Sequence, residues 1–247
     1  SGPNGVWTKQ AIEGNNISHL GFGGSNPSTI TISFWVKATK AGTFTATVKD
    51  STSSAYYMCP VTIASPNTWQ YVTKTIPGAT IGTWNTGHTQ GLQLLLTWGI
   101  NPGWIAGTTT NQWASGNISG TTSQTNFLTT DGDIVWVTGV QLEVGKNATE
   151  FEHRSYGEEL ALCQRYYFQL TDFVWTYSLS GTTGAYNRAT IWHPVEMRTD
   201  PTVSFSVSAG GTAQGTQGGN PKTTTIYINN ASSISNVAAG AEFSAEI

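Results

Sequence analysis

Between Asp133 and Tyr167 the hydrophobic period changes from that of a strand to that of a helix within about ten residues, and the change divides the chain into two β-rich halves. In DIVWVTGVQLEV, Ile134, Trp136, Thr138, Val140, Leu142 and Val144 fall on one side of a strand, and Val135, Val137, Gly139, Gln141 and Glu143 on the other. Beyond it, Tyr156, Leu160, Cys163 and Tyr167 recur at the spacing of a short coiled-coil seam. Ser155 as N-cap and Glu158 three residues on complete a capping box. A helix of about three turns is not stable alone in water, so its apolar seam must be covered, either by the adjoining domains or by identical helices.

Upstream, from Ile30 to Val144, short strands alternate with Gly, Asn, Pro and Ser clusters, the pattern of a β-sandwich; the expected fold is a jelly roll. Ile30, Ile32, Phe34 and Val36 share one face of a strand, and Leu92, Leu94, Leu96 and Trp98 share a face of another. Phe44, Ala46, Val48, Val61 and Ile63 supply further inward positions, as does the WQYVTKTI strand. A long irregular segment, 99–123, carries Trp104 and Trp113 and is expected to be a functional loop. Downstream of the helix the chain returns to β, with SGTTGAYN and the glycine-rich AGGTAQGTQGGNPK expected as loops. That head has few large aliphatic residues, so symmetry mates are expected to bury its faces.

The run VTGVQLEVGKNATEFEHRSYGEELALCQRYY is similar to a family of tail-fibre and tail-spike proteins of tailed bacteriophages, in which the motif joins a jelly-roll domain to a C-terminal head. One departure is Glu150, where the family commonly has proline. ITISFWVKATKAGTFTATVKD and WQYVTKTIPGA resemble early strands of jelly-roll carbohydrate-binding modules, and IWHPVEMRTDPTVSFS resembles a strand pair of phage fibre heads. The resemblance implies an all-β homotrimer: a jelly-roll domain over residues 1–150, a linker and trimerising helix over 151–168 with Tyr156, Leu160, Cys163 and Tyr167 at the interface, and a β head over 169–247. It further implies a virion protein, assembled in the host cytoplasm with other tail proteins, that adheres to a bacterial surface glycan or outer-membrane receptor.

Composition bears on the ligand. Charged residues make up only 10% of the chain, and Gly, Ser, Thr and Asn fill the gap, which suits neutral polyhydroxylated ligands. A net charge of −3 argues against nucleic acid, which requires a basic stripe. No apolar stretch approaches a membrane span and no basic-then-apolar leader opens the chain, so neither membrane insertion nor Sec export is expected. The two cysteines, Cys59 and Cys163, are placed on separate elements and expected as free, buried thiols, compatible with a reducing cytosol.

Ten tryptophans and nine tyrosines point to a ligand, because aromatic planes stack on the C–H faces of sugars. Strand alternation puts Trp35 on the face opposite Phe34 and Val36, either as a ligand platform or as a contact with a neighbouring subunit or the helix. Trp104 and Trp113 serve either as a sugar platform or as lids over a sandwich end. Trp175, Tyr177 and Tyr186 flank the SGTTGAYN loop and are placed to meet a cell surface if the C-terminus is the distal tip. No catalytic residue is assigned: His19, His88, His153 and His193 are scattered, and the carboxylate pairs Glu150/Glu152 and Glu158/Glu159 lack the geometry of a glycosidase. No cofactor is expected; Asp131 and Asp133 are only weak candidates for a structural calcium, since two carboxylates around a glycine are also an ordinary turn. The expected function is adhesion; the alternatives are a tail-spike depolymerase and a purely structural trimerising segment.

Overall fold

The computed structural model describes residues 5–101, 105–176, 186–207, 211–230 and 236–246. The protein is all-β apart from short helices, and divides into two compact units after Glu152.

In the first unit, β1 (Gly5–Glu13), β3 (Gly42–Asp50), β4 (Ala55–Ile63), β6 (Gln90–Ile100) and β8 (Trp113–Ser115) form a five-stranded sheet in the order β1-β6-β3-β4-β8. A second sheet has β2 (Ile30–Ala38) at its centre, between β10 (Val135–Val144) and β5 (Gln70–Ile76). Two short parallel strands, β7 (Ala106–Gly107) and β9 (Gly120–Thr121), and a single helical turn, α1 (Gly14–Ile17), complete the unit.

Both main sheets give alternate residues to one core. Ile30, Ile32, Phe34 and Val36 from β2 meet Phe44, Ala46 and Val48 from β3, Val61 and Ile63 from β4, and Leu92, Leu94, Leu96 and Trp98 from β6. Phe44 is the hub, its ring centroid 4.7 Å from that of Trp98, 6.1 Å from Phe34 and 6.3 Å from Phe127. Full burial of side chains this size stabilises the sandwich by about 1.5–3 kcal/mol each.

The alternation expected for β10 does not hold along its length. A β-bulge between Thr138 and Gln141 sets Gly139 and Val140 against a single residue of β2, with Gly139 in the left-handed region (φ 61°) that disfavours a side chain. Before the bulge Val135 and Val137 pack on the core; after it Leu142 does. Ile134, Val140 and Val144, expected on the same face as Leu142, are exposed.

Within the segment expected as a functional loop, residues 113–115 are the edge strand β8, and the chain from Asn117 to Gln124 covers the outer side of the five-stranded sheet. Hydroxyls of Thr47 and Thr97 both donate to the Ser119 carbonyl, Thr45 Oγ1 donates to Gln124 Oε1 at 2.8 Å, and Gln124 Nε2 donates to the Thr97 carbonyl at 3.0 Å. Threonines at strand positions are therefore buried and satisfied rather than solvated. Lys49 joins this segment through Asn117 Oδ1 at 2.8 Å and Ser119 Oγ at 3.2 Å; burial pushes its ammonium pKa down.

The second unit opens with α2 (Tyr156–Gln164), whose capping box forms as the sequence predicts: Glu158 N donates to Ser155 Oγ at 3.3 Å, and Ser155 N donates to Glu158 Oε2 at 2.9 Å. The helix is shorter than expected. Tyr167 lies on β11 (Tyr167–Thr176), paired with Ser244, and not on the helical seam. One three-stranded sheet has the order β11-β16-β13, with β13 at Thr202–Val207 and β16 at Asn236–Ser244. The other has the order β12-β15-β14, with β12 at Tyr186–Trp192, β14 at Gly211–Asn220 and β15 at Thr223–Asn230. The glycine-rich run expected as a loop is thus an edge strand; a backbone ladder to β15, interrupted by two register shifts, needs no side chains.

Phe168 and Phe243 stack at 4.4 Å with planes 1° apart, and Met197, Ala241 and Ala245 pack with them. His193 is buried beside both rings, with Nδ1 2.9 Å from the Pro221 carbonyl and Nε2 3.0 Å from Thr224 Oγ1. A carbonyl only accepts, so Nδ1 donates to it, and the two contacts tie the ring to the Pro221–Thr224 stretch.

Both cysteines are free, but Cys163 is exposed on α2, where burial was expected; only Cys59, on β4, is buried. Burial pushes the Cys59 thiol up to about 12, which suppresses its thiolate. Titration with a thiol reagent is therefore expected to find Cys59 slow in the native protein, Cys163 fast in the single chain and slowed wherever another copy covers α2, and two groups after denaturation; two fast groups in the native protein overturn the buried placement of Cys59.

Candidate functional site

Outward-facing residues of the β10-β2-β5 sheet form a surface with exposed aromatic rings. Cross-strand register aligns Tyr71, Trp35 and Thr138 in one row across β5, β2 and β10, then Thr73, Ser33 and Gln141, then Thr75, Thr31 and Glu143. The Trp35 and Tyr71 rings lie 5.1 Å apart and tilted by 42°, each 44% exposed. Half-exposed neighbouring rings leave apolar planes uncovered at a cost that a ligand recovers.

A strap of chain folds back over one end of this face. Gln141 holds it at three points: Oε1 accepts from Glu152 N at 2.8 Å, while Nε2 donates to Thr149 Oγ1 at 3.2 Å and to the Glu150 carbonyl at 3.3 Å. Glu143 accepts from Thr149 N at 3.1 Å and also from its hydroxyl. Hydrogen bonding by Gln141, then by Thr149, holds the Glu143 carboxyl below its ordinary range. The strap brings Phe151, itself 46% exposed, towards Trp35, with Gly139 between them: a β-carbon there would lie 3.6 Å from Trp35 and 3.8 Å from Phe151.

Sheet and strap enclose a cleft of about 380 Å³ lined by Ser33, Trp35, Tyr71, Gly139, Ala148, Thr149, Glu150 and Phe151. That volume falls in the range of small-ligand sites. Aromatic planes with a hydroxyl and a carboxylate at the margin suit a ligand having one apolar face and several hydroxyls. On the other side of Trp35, Lys37 places its ammonium 4.2 Å from the centre of the Trp136 ring and 5.1 Å from that of Trp69.

Of the ligand-binding candidates read from sequence, Trp35 is the one among the described residues that lines this cleft. Trp113 is packed edge-on against Phe22, Tyr57 and Trp84 at 5.4–5.9 Å, and its indole N–H donates to the Pro77 carbonyl at 2.7 Å, which makes it a lid and not a platform. Trp104 and Tyr177 lie outside the described residues. Trp175 falls on β11 and Tyr186 on β12, in different sheets, and their side chains are likewise outside what is described.

Asp133 is engaged in its own turn. One oxygen accepts from Lys40 Nζ at 2.8 Å and from the Thr129 and Thr130 backbone N–H groups, and the lysine foremost lowers its pKa to about 2. Asp131 is exposed, and among the described residues no three His, Cys, Asp or Glu side chains converge as a metal site. The cleft residues that sequence reasoning missed are Tyr71 and Phe151. Tyr71 had a signal: in WQYVTKTI, Tyr71, Thr73 and Thr75 alternate with the core residues Val72 and Ile76, as Trp35 does with Phe34 and Val36. Phe151 had none, because strap docking is a tertiary event.

The chain matches no protein-family model and no curated protein.

Proposed function

We propose that this chain is a bacteriophage tail-fibre component that adheres to a glycan on the bacterial surface. The observation that carries the reading is the Trp35–Tyr71–Phe151 cleft, where exposed rings, hydroxyls and one carboxylate meet in a volume suited to a sugar. The first unit is read as a jelly roll, by its two antiparallel sheets around one core. Binding without turnover is favoured over depolymerisation because the cleft lining holds a single carboxylate, Glu150, whereas glycoside hydrolysis uses a pair. In this reading the chain acts in the virion with other tail proteins, after assembly in the host cytoplasm.

The proposed assembly is a homotrimer. Tyr156, Leu160 and Leu162 are 82%, 40% and 46% exposed, Cys163 is exposed, and α2 has no buried residue, so these four side chains present apolar surface in the single chain. Tyr167, now on β11, is 40% exposed next to them. Light scattering is expected to give three times the 26.4 kDa chain mass, and Leu160→Asp to lower it. A monomer mass for the unaltered chain at micromolar concentration overturns the trimer.

The function is tested by applying the full chain to immobilised lipopolysaccharides and capsular polysaccharides and measuring retention and reducing ends together. Retention with constant reducing ends is expected. Release of reducing ends or unsaturated sugars identifies a depolymerase. Retention on neither glycans nor bacterial cells leaves the structural, trimerising role.

A further inference from the structure

Lys37 is placed by structure rather than by chance of solvation. It follows Trp35 by two residues on β2, so the two share a face with Cα atoms about 6.6 Å apart. Its ammonium is held near the Trp69 and Trp136 rings, and among the described residues no carboxylate lies within ion-pair distance of it. An aromatic cage fixes a cation but leaves its charge unneutralised, so an anion that reaches it gains a preorganised partner. The strap with Glu150 docks through Gln141 and Glu143, opposite Ser33 and Thr31, hence on the other side of Trp35 from Lys37. The face therefore carries the Lys37 ammonium at one end of the aromatic platform and Glu143 and Glu150 at the other, where Lys146 also lies.

We propose that this face is selective for an acidic polysaccharide: one sugar ring stacks on Trp35 and Tyr71 in the cleft, and the carboxylate of the adjoining uronate- or sialate-type residue pairs with the Lys37 ammonium between Trp69 and Trp136. The inference rests on the glycan-binding reading above and names its ligand class. It refines the expectation of a neutral ligand drawn from composition, which counts charges without placing them. Glu150 repels a carboxylate placed in the cleft itself, so the acidic residue is directed to the Lys37 end and the polysaccharide binds in one polarity.

The test uses the full chain on a printed array of bacterial capsular and lipopolysaccharide glycans in which acidic and neutral repeats are both represented. Retention is expected on uronate- or sialate-bearing repeats and not on neutral ones. Lys37→Gln is expected to weaken it about five-fold at moderate salt, the scale of one exposed charge pair, and Lys37→Glu to weaken it further. Lys37→Arg, which keeps the charge and the stacking, is expected to retain binding. Because Lys37 also packs on two tryptophans, the thermal midpoint of each variant is measured, and a loss counts only where folding is kept. Retention on neutral glycans alone, abolished by Trp35→Ala, overturns this inference and leaves glycan adhesion standing. Acidic-glycan binding indifferent to Lys37→Gln and Lys37→Glu also overturns it. Retention on no glycan overturns both.

Discussion

Replacing Trp35 and Tyr71 together by alanine is expected to reduce adhesion to host cells below detection. Each stacked ring contributes on the order of 1 kcal/mol beyond its buried area. Losing two such planes weakens a single site about 30-fold or more. In a trimeric fibre the occupancies of linked sites multiply, so a modest loss per site becomes a large loss per particle. Trp192 provides the control, being 76% exposed on β12 in the second unit and remote in sequence from the cleft. Trp192→Ala is expected to leave adhesion unchanged. If Trp192→Ala abolishes adhesion while the Trp35/Tyr71 variant binds normally, the receptor site belongs to the second unit.

Asp50→Ala is expected to cost the first unit about 1–3 kcal/mol, because it leaves the buried Ala55 N–H without an acceptor and loosens the part-buried donors around it. The Asp50 carboxylate, fully buried at the end of β3, accepts from Ser54 N at 2.8 Å, Ala55 N at 3.2 Å, Thr83 N at 3.3 Å and Thr52 Oγ1 at 2.7 Å, and from the Ser54 hydroxyl. Burial alone would raise its pKa; the hydroxyls of Ser54 and Thr52 and the backbone donors outweigh it and hold the carboxyl below its ordinary range. The unfolded chain therefore takes up the proton first. The stabilisation is complete above the ordinary aspartate value of about 3.9 and drains away as pH falls through the lower folded value. Urea midpoints measured from about pH 5 down to 2 should fall in the unaltered protein more steeply than in Asp50→Ala. Equal slopes in the two proteins would sink this assignment.

Local pattern made much of the first unit legible. The inward faces of β2, β3 and β6 follow from period-2 alternation, and the Ser155–Glu158 box follows from two residue types at fixed spacing. What escaped depends on register and on layers. The bulge at Gly139 inverts the faces of β10, and no periodicity count distinguishes a bulged strand from a regular one. Nothing in the pattern marks Thr45, Thr47 and Thr97 as buried, because threonine is compatible with either environment; the chain from Asn117 to Gln124 covers them. Trp35 was found because its strand alternates cleanly, whereas its partners come from β5 and from the strap, joined to it only in three dimensions. Trp113 is the converse case, a tryptophan in a glycine- and asparagine-rich run whose ring packs on Phe22, Tyr57 and Trp84 and whose N–H is taken by the Pro77 carbonyl.

The strap at Gln141 and Glu143 has a mechanical consequence. Its residues are the last of the first unit before His153, so tension applied through the downstream backbone reaches the strap before it reaches any strand of the sandwich. Pulled from that end, the hydrogen bonds part in series: Glu152 to Gln141 first, then Glu150 to Gln141, then Thr149 to Glu143. Peeling one bond at a time takes far less force than shearing a strand from a sheet. Under load the chain would thus lose the Phe151 wall of the cleft while the core stayed intact, and in the proposed fibre the hold on a bound ligand would slacken before the fold did.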